Sequence, residues 1–367
     1  MIHLEGKFNQ ADIYSELRDE VAIRQVEDIC ADEIYKDAII KVMPDYHPGK
    51  CCVIGLTMKM PRDGIVNPNL VGVDIGCGIL AVKLSKRPDL NSLDDICHRN
   101  IPSGPYFHKE PVSPLAAEYI GALKKSVEDS YRLERQLGTL GGGNHFIEVD
   151  LLGNDYYLVI HSGSRNAGLQ VAEAYAKDFE TGELDMESYL QDMQVMQQYA
   201  SDNRKLMVQI ITKRLKADVT DSIESVHNYI ELQDDCFVVR KGAISAKSGE
   251  KSVIPLNMRD GTIIGIGKGN DEWNQSAPHG AGRALGRSQA IKQLSLEKFE
   301  ESMKGIYSTT VCKGTLDEAP MAYKPSKYIL NEVTGSIDVI GIMKSIFNFK
   351  AVENKQHYKK DHYRKKK

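Results

Sequence analysis

The chain has 367 residues, 41% hydrophobic and 27% charged, with a net charge of −4. This is the balance of a globular protein with a sizeable core, in one large domain or two ordinary ones, and it excludes disorder, collagen and coiled coil. No apolar run reaches bilayer length, Met1-Ile2-His3-Leu4-Glu5 has no leader-like pattern, and seven cysteines from Cys30 to Cys312 make no disulfide framework, so a cytoplasmic protein is expected.

In chain order, residues 10–40 read as an amphipathic helix, with Ile13, Leu17 and Val21 at helical spacing. From Val42 to Leu84, short apolar runs (Cys52-Val53-Ile54, Leu70-Val71-Gly72-Val73, Ile79-Leu80-Ala81-Val82) alternate with Pro, Gly and Asp, a strand-and-turn pattern. Ser113 to Leu137 returns to helix and stops at Gly138. Phe146–Leu152 and Tyr156–Ile160 read as strands joined by Gly153-Asn154-Asp155. A long helix spans roughly Met186 to Ala217, and its methionine stripe reads as packing. Strands recur at Cys236–Ile244, Ser252–Leu256 and Thr262–Ile266, and a helix is expected to open after His279. With no repeats and no linker before residue 350, the expectation is one mixed α/β (α+β) domain over residues 1–350, with a helical insertion at about 180–225. Residues 351–367 form a basic tail: from Lys350 onward there are eight Lys/Arg and two acidic residues, against 39 and 49 before it. A solvated terminus is the plain reading of that tail; a contact with a polyanion is the functional one.

The chemistry concentrates in four segments. In Val71-Gly72-Val73-Asp74-Ile75-Gly76-Cys77-Gly78 a strand is expected to deliver Asp74 and then Cys77, and an acid and a thiol at that spacing can reach one metal, with a thiolate able to bridge two. The plain alternative is a capping Asp and a small buried Cys. In Leu140-Gly141-Gly142-Gly143-Asn144-His145 three glycines leave backbone N–H groups open to phosphate, with Asn144 and His145 at the loop exit. His161-Ser162-Gly163-Ser164-Arg165 puts an imidazole, hydroxyls and a guanidinium after an apolar strand, without the Gly-x-Ser-x-Gly of a hydrolase elbow. His227 beside Asn228 adds another imidazole. Finally, Gly265-Ile266-Gly267-Lys268-Gly269 is neither a Rossmann fingerprint nor a P-loop, but His279-Gly280-Ala281-Gly282-Arg283 places a histidine among nearly bare neighbours. A neutral histidine there can attack phosphorus and form a phosphoramidate. Together these residues point to metal-assisted phosphoryl or nucleotidyl chemistry, with Zn, Fe or Mn all compatible with the donors.

In this combination the chain resembles the RtcB family of RNA ligases. The resemblance rests on Met43-Pro44-Asp45-Tyr46-His47-Pro48-Gly49-Lys50, the Asp74/Cys77 segment, Leu137 to Glu148, His161 to Arg165, His227-Asn228-Tyr229, Arg240 to Ala246, His279 to Arg283 and Asp317 to Lys324, all in the family's order. It implies the family's own α/β fold, two Mn²⁺ ions, GTP as energy source, and RNA ends as substrates, with room for an activating protein partner and no membrane. It further implies Asp74, Cys77, His145, His161 and His227 as metal ligands, Cys77 bridging, and His279 as the nucleophile that takes GMP. The nucleotide would be held by Asn144, His145, Phe146, Ile147, Glu148, His227, Asn228, Pro255, Leu256, Asn257, Met258, Thr262, His279, Gly280, Ala281, Gly282 and Lys350. The implied reaction joins a 2′,3′-cyclic-phosphate or 3′-phosphate end to a 5′-hydroxyl end through histidine-GMP and RNA-3′-pp-G. The sequence departs from the family at Pro255-Leu256-Asn257-Met258-Arg259, at Val226 and in the tail after Lys350. Two other functions are compatible with parts of the pattern: a dinuclear phosphoesterase acting on RNA cyclic phosphates, which needs the metal donors but not His279, and a non-catalytic RNA-binding protein, which needs neither.

Overall fold

The computed structural model describes residues 1–352, and the basic residues Lys359 to Lys367 lie outside the described residues. In chain order the first half comprises β1 (Ile2–Glu5), β2 (Gln10–Ile13), α1 (Glu20–Cys30), β3 (Ile39–His47), β4 (Ile54–Pro61), β5 (Gly78–Leu84), α2 (Leu90–Asn100), α3 (Leu115–Ala122), α4 (Ser130–Glu134), β6 (Phe146–Leu152) and β7 (Asp155–Ser162). Then come α5 (Arg165–Thr181), α6 (Met186–Leu215), β8 (Val219–Val226), β9 (Asn228–Leu232), β10 (Cys236–Lys241) and β11 (Ala243–Ser245). The remainder is β12 (Lys251–Asn257), β13 (Gly261–Gly267), β14 (Ser276–Pro278), α7 (Arg287–Gln293), α8 (Leu296–Ser302), α9 (Ser326–Glu332) and β15 (Ile337–Lys350). The fold is mixed α/β, as expected, and no helix among the described residues is long and apolar enough to cross a membrane.

One sheet, ordered β1-β2-β3-β4-β10-β9, carries α1, α5 and α6 in its core. The other, ordered β12-β13-β15-β6-β7-β5-β8, is antiparallel throughout. It curls until its edge strands meet, where Val253 N on β12 donates to Ser225 Oγ on β8 (3.0 Å). Period-two alternation then sorts its residues between inside and outside. Ile79, Ala81, Phe146, Tyr157, Val159, Ile223, Val253, Ile264 and Met343, from all seven strands, form the inner core. Their neighbours Leu80, Val82, Ile147, Val149, Leu158 and Ile160 face outward, onto Met207, Val208 and Ile211 of α6.

Several expected elements are differently placed. The segment 10–40 is not one helix: Ile13 ends a strand, Leu17 and Val21 are exposed, and α1 starts only where Asp19 accepts from Val21 N and Ala22 N. Residues 113–137 split into α3 and α4, because the Asp192 carboxylate of α6 accepts from Lys124 N (2.7 Å) and Lys125 N (2.9 Å), a tertiary pairing that replaces helical bonds. Leu70-Val71-Gly72-Val73 is no strand; a 3₁₀ turn over Pro68–Leu70 leads into the loop that carries Asp74. The strand expected over Cys236–Ile244 is divided at Gly242. The β6–β7 hairpin and the span of α6 match expectation, and the methionines of α6 (Met193, Met196, Met207) are core packing.

Inside the curled sheet, alternation also buries two acids of β6, Glu148 and Asp150. Burial raises the Asp150 carboxyl to about 7, with the Thr262 hydroxyl only partly offsetting it. A carboxyl raised in this way favours folding below its unfolded value near 3.8, and that contribution is lost as pH rises through about 7. Each pH unit of that window is worth about 1.4 kcal/mol. Asp150→Asn is therefore expected to raise the thermal midpoint more at pH 8 than at pH 5, where only part of that window has been crossed. Equal shifts at both pH values in thermal melts would contradict this.

Candidate metal centre and nucleotide cavity

Alternation that fills the barrel with apolar side chains also aims donors into one of its rims. Cys77 precedes β5 in phase with Ile79, His161 lies in phase with Val159 on β7, and His227 follows β8 in phase with Ser225. The ladders set His161 opposite both Ile79 and Phe146, and His227 N donates to Cys77 O (2.9 Å). His145, the residue before β6, completes the group. Cys77 Sγ is 3.5 Å from His145 Nε2 and 3.2 Å from His161 Nε2, and His161 Nε2 is 3.4 Å from His227 Nε2. On the other side, Asp74 Oδ2 is 3.0 Å from His145 Nε2. The five sequence-predicted ligands thus form two arms that share Cys77: Asp74 and His145 on one, His161 and His227 on the other.

The far ring nitrogens are held by carbonyls, His145 Nδ1 by Leu140 O (2.9 Å) and His161 Nδ1 by Asn144 O (3.2 Å). For His161 this leaves the Nε2 lone pair free for a metal, the usual outer support of a ligating imidazole, whereas His145 Nε2 is hydrogen-bonded to Asp74. Burial, reinforced by neighbouring histidines, holds His161 and His227 well below the ordinary imidazole range, so both are neutral. Burial and then Asp74 push the Cys77 thiol well up, so a cation binding there must displace its proton. Burial alone would raise Asp74; the His145 hydrogen bond, with the charges of His145 and Arg165, brings it to about 2 instead. One thiol, three imidazoles and one carboxylate suit a divalent ion such as Mn, Fe or Zn.

Two adjacent residues of α6 fix this rim. Arg204, fully buried, donates through Nη1 to Gly76 O (2.9 Å) and Ser162 O (2.6 Å) and through Nε to Glu224 Oε1 (2.9 Å). Asn203 accepts from Gly138 N and Thr139 N and donates to Thr139 O and Gly163 O.

His279 lies beside, not within, this donor set: its ring centroid is 4.8 Å from that of His227. It follows β14, and no helix opens there; the chain runs through a loop to α7 at Arg287. The expected phosphate cradle at a helix N-terminus is therefore absent, and the backbone N–H groups of His279 and Gly280 point instead to Asp45 Oδ2 (3.2 and 3.3 Å). The same carboxylate oxygen lies 2.6 Å from His279 Nδ1. Gly242, at φ +61, donates its N–H to His227 O (2.7 Å), and a Cβ there would lie 2.2 Å from Ile54 Cγ2 and 3.2 Å from His279 Cε1.

His279 also lines a cavity of about 850 Å³. Among the predicted nucleotide residues, Asn144, Phe146, Glu148, Pro255, Leu256, Asn257, Met258, Gly280, Ala281, Gly282 and Lys350 line it too. His145 faces a second cavity of about 340 Å³ across the donor cluster, with Asp74, Asn144, Arg132 and Arg165. Ile147 packs in the outer core, Thr262 is buried within the barrel, and Asn228 donates to Asp74 O and accepts from Gly242 N. Residues given no role from sequence prove central. Besides Asp45, Glu318 accepts from Arg283, Arg287, Lys350 and Tyr323. Burial would raise it, but the charges of Lys350, Arg287 and Arg283 bring it down to about 2. Asp45 stood inside a recognisable motif; its fully buried carboxylate was the missing signal.

The RNA-splicing ligase RtcB of Escherichia coli strain K12 is 29% identical, covering 84% of this chain and 88% of that protein. The tRNA-splicing ligase RtcB of Aeropyrum pernix is 26% identical over 84% of this chain and 86% of its own length. That of Thermococcus kodakarensis is 26% identical over 79% and 82%. The family described as tRNA-splicing ligase RtcB matches residues 25–113 and 116–351, nearly the whole described chain, and the protein belongs to the RtcB family.

Proposed function

We propose that the protein is a GTP- and Mn²⁺-dependent RNA ligase that joins 2′,3′-cyclic-phosphate or 3′-phosphate ends to 5′-hydroxyl ends. One observation carries this reading: a histidine outside the donor cluster, His279, stands on the wall of a nucleotide-sized cavity with Asp45 at its Nδ1. A phosphoesterase using the same donors would need neither the histidine nor the cavity. Membership of a family of tRNA-splicing ligases, and the ligase names of its relatives, support the same reading.

The steps are those that the resemblance to the family implies, placed on these residues. Water first opens the cyclic phosphate, cleaving the 2′-oxygen–phosphorus bond. His279 Nε2 then attacks the α-phosphorus of GTP, forming an N–P bond as pyrophosphate leaves, while Nδ1–H stays on Asp45. An oxygen of the RNA 3′-phosphate attacks that phosphorus, breaks the N–P bond and gives RNA-3′-pp-G. The 5′-hydroxyl of the second end attacks the RNA phosphorus, loses its proton and expels GMP. Phe146, Glu148, Pro255–Met258 and Lys350 would hold the nucleotide, and Arg132 and Arg165 in the smaller cavity suit an RNA phosphate. Manganese held by Asp74, Cys77, His145, His161 and His227 would neutralise phosphate charge.

Incubation with α-labelled GTP and Mn²⁺ is expected to leave acid-labile, base-stable label on the protein. His279→Ala should abolish that label and the joining of 3′-phosphate ends, yet still join RNA supplied with a pre-formed 3′-pp-G end. Label retained by His279→Ala would sink the assignment. Cys77→Ala should lose bound manganese and all joining, because its thiolate is common to both arms; full manganese content by elemental analysis of that variant would contradict a bridging role.

A further inference from the structure

Lys324 is buried, 7% exposed, and takes no part in the chemistry above. Nζ donates to Pro44 O (3.0 Å) and Tyr46 O (2.7 Å), the two carbonyls that flank Asp45, and stands 4.6 Å over the Tyr46 ring. The backbone N of the same residue donates to Gly282 O (2.9 Å) in the loop that begins at His279. That loop approaches the Asp45 strand so closely that a Cβ on Gly282, at φ +69, would lie 2.0 Å from Asp45 O. One residue thus binds both the strand that carries the carboxylate and the loop that carries the nucleophile. The charges facing its ammonium are those of Asp45 and Asp19.

We infer that Lys324 is a positioning residue for guanylylation, clamping the Asp45 strand to the His279–Gly282 loop so that the carboxylate meets the His279 ring. The inference rests on the proposed ligase reading, in which His279 accepts GMP. Only that step needs His279 as nucleophile, so loss of the clamp should spare the later joining step. A methionine at 324 keeps the length of the stem but leaves both carbonyls without their donor. An arginine keeps charge and donors in a different shape, and so should restore part of the function.

The test measures GMP labelling, joining of RNA carrying a pre-formed 3′-pp-G end, manganese content and thermal midpoint, on the full chain. Lys324→Met is expected to slow labelling at saturating GTP by about 100-fold, the effect of displacing a reacting group by ~1 Å. The KM for GTP, the manganese content and the joining of pre-activated ends should stay within about threefold of wild type, far less than that displacement effect. Lys324→Arg should recover a good part of the labelling rate. Unchanged labelling in Lys324→Met overturns the inference, and so does an equal loss in labelling and joining, which would mark a merely structural role. Should the methionine variant not fold, Lys324→Arg decides alone: slowed labelling with intact joining supports the clamp, and parallel loss overturns it. Wild-type protein that takes no label from GTP would instead remove the ligase reading itself.

Discussion

The guanidinium of Arg204 is the contact on which the site depends. It is fully buried on α6, and its bonds reach Gly76 O, Ser162 O and Glu224, one on or beside each of the strands β5, β7 and β8. Gly76 and Ser162 are the chain neighbours of Cys77 and His161, so the helix fixes the backbone of two donors. Such a charge is costly to bury, and the ion pair with Glu224 (2.8 Å from Nη2) together with the two carbonyls at Nη1 offsets that cost. Asn203, one residue earlier, does the same for the glycine loop that ends in His145. Helix and barrel are therefore not separately adjustable.

Charge is arranged in two zones around the cavity. Within the donor cluster His161 and His227 are uncharged, Asp74 is ionised, and Cys77 holds its proton until a cation displaces it. Across the cavity, Glu318 is enclosed by Arg283, Arg287 and Lys350, a net positive wall suited to phosphate. Lys350 also donates to Asn144 O, the carbonyl that accepts from His161 Nδ1, so the positive wall and the donor cluster share one backbone oxygen. Below both, Glu148 is pushed well up by burial and by Asp150, with Lys350 and Asn348 acting against that rise.

Much of this was legible in the sequence where local pattern and tertiary structure agree. The β6–β7 hairpin announced itself by alternation and a Gly-Asn-Asp turn, and His161 by its place at the end of an apolar strand. Sequence reasoning failed where a distant partner overrides the local pattern. The helix expected across 113–137 breaks because Asp192, some 67 residues away, takes the N–H groups of Lys124 and Lys125. Ile13, Leu17 and Val21 share a helical spacing by coincidence, whereas Ala22, Ile23, Val26 and Ile29 form the true buried face. The glycines after His279 suggested an open helix start, but Asp45, 234 residues earlier, occupies those N–H groups. No local pattern encodes a contact of that span.

Alternation within the curled sheet has a further consequence for how the sequence can vary in length. Cys77, His161 and His227 face inward only because each is an even number of residues from an apolar side chain that also faces inward. Removing one residue from the body of β7 would turn His161 toward α6 and Ile160 toward the metal donors, reversing both faces in one step. Removing one from the Gly153 turn would leave that phase intact. Length change is therefore confined to the turns at the rim away from the donors, while the strands behave as fixed rulers that measure each ligand into place.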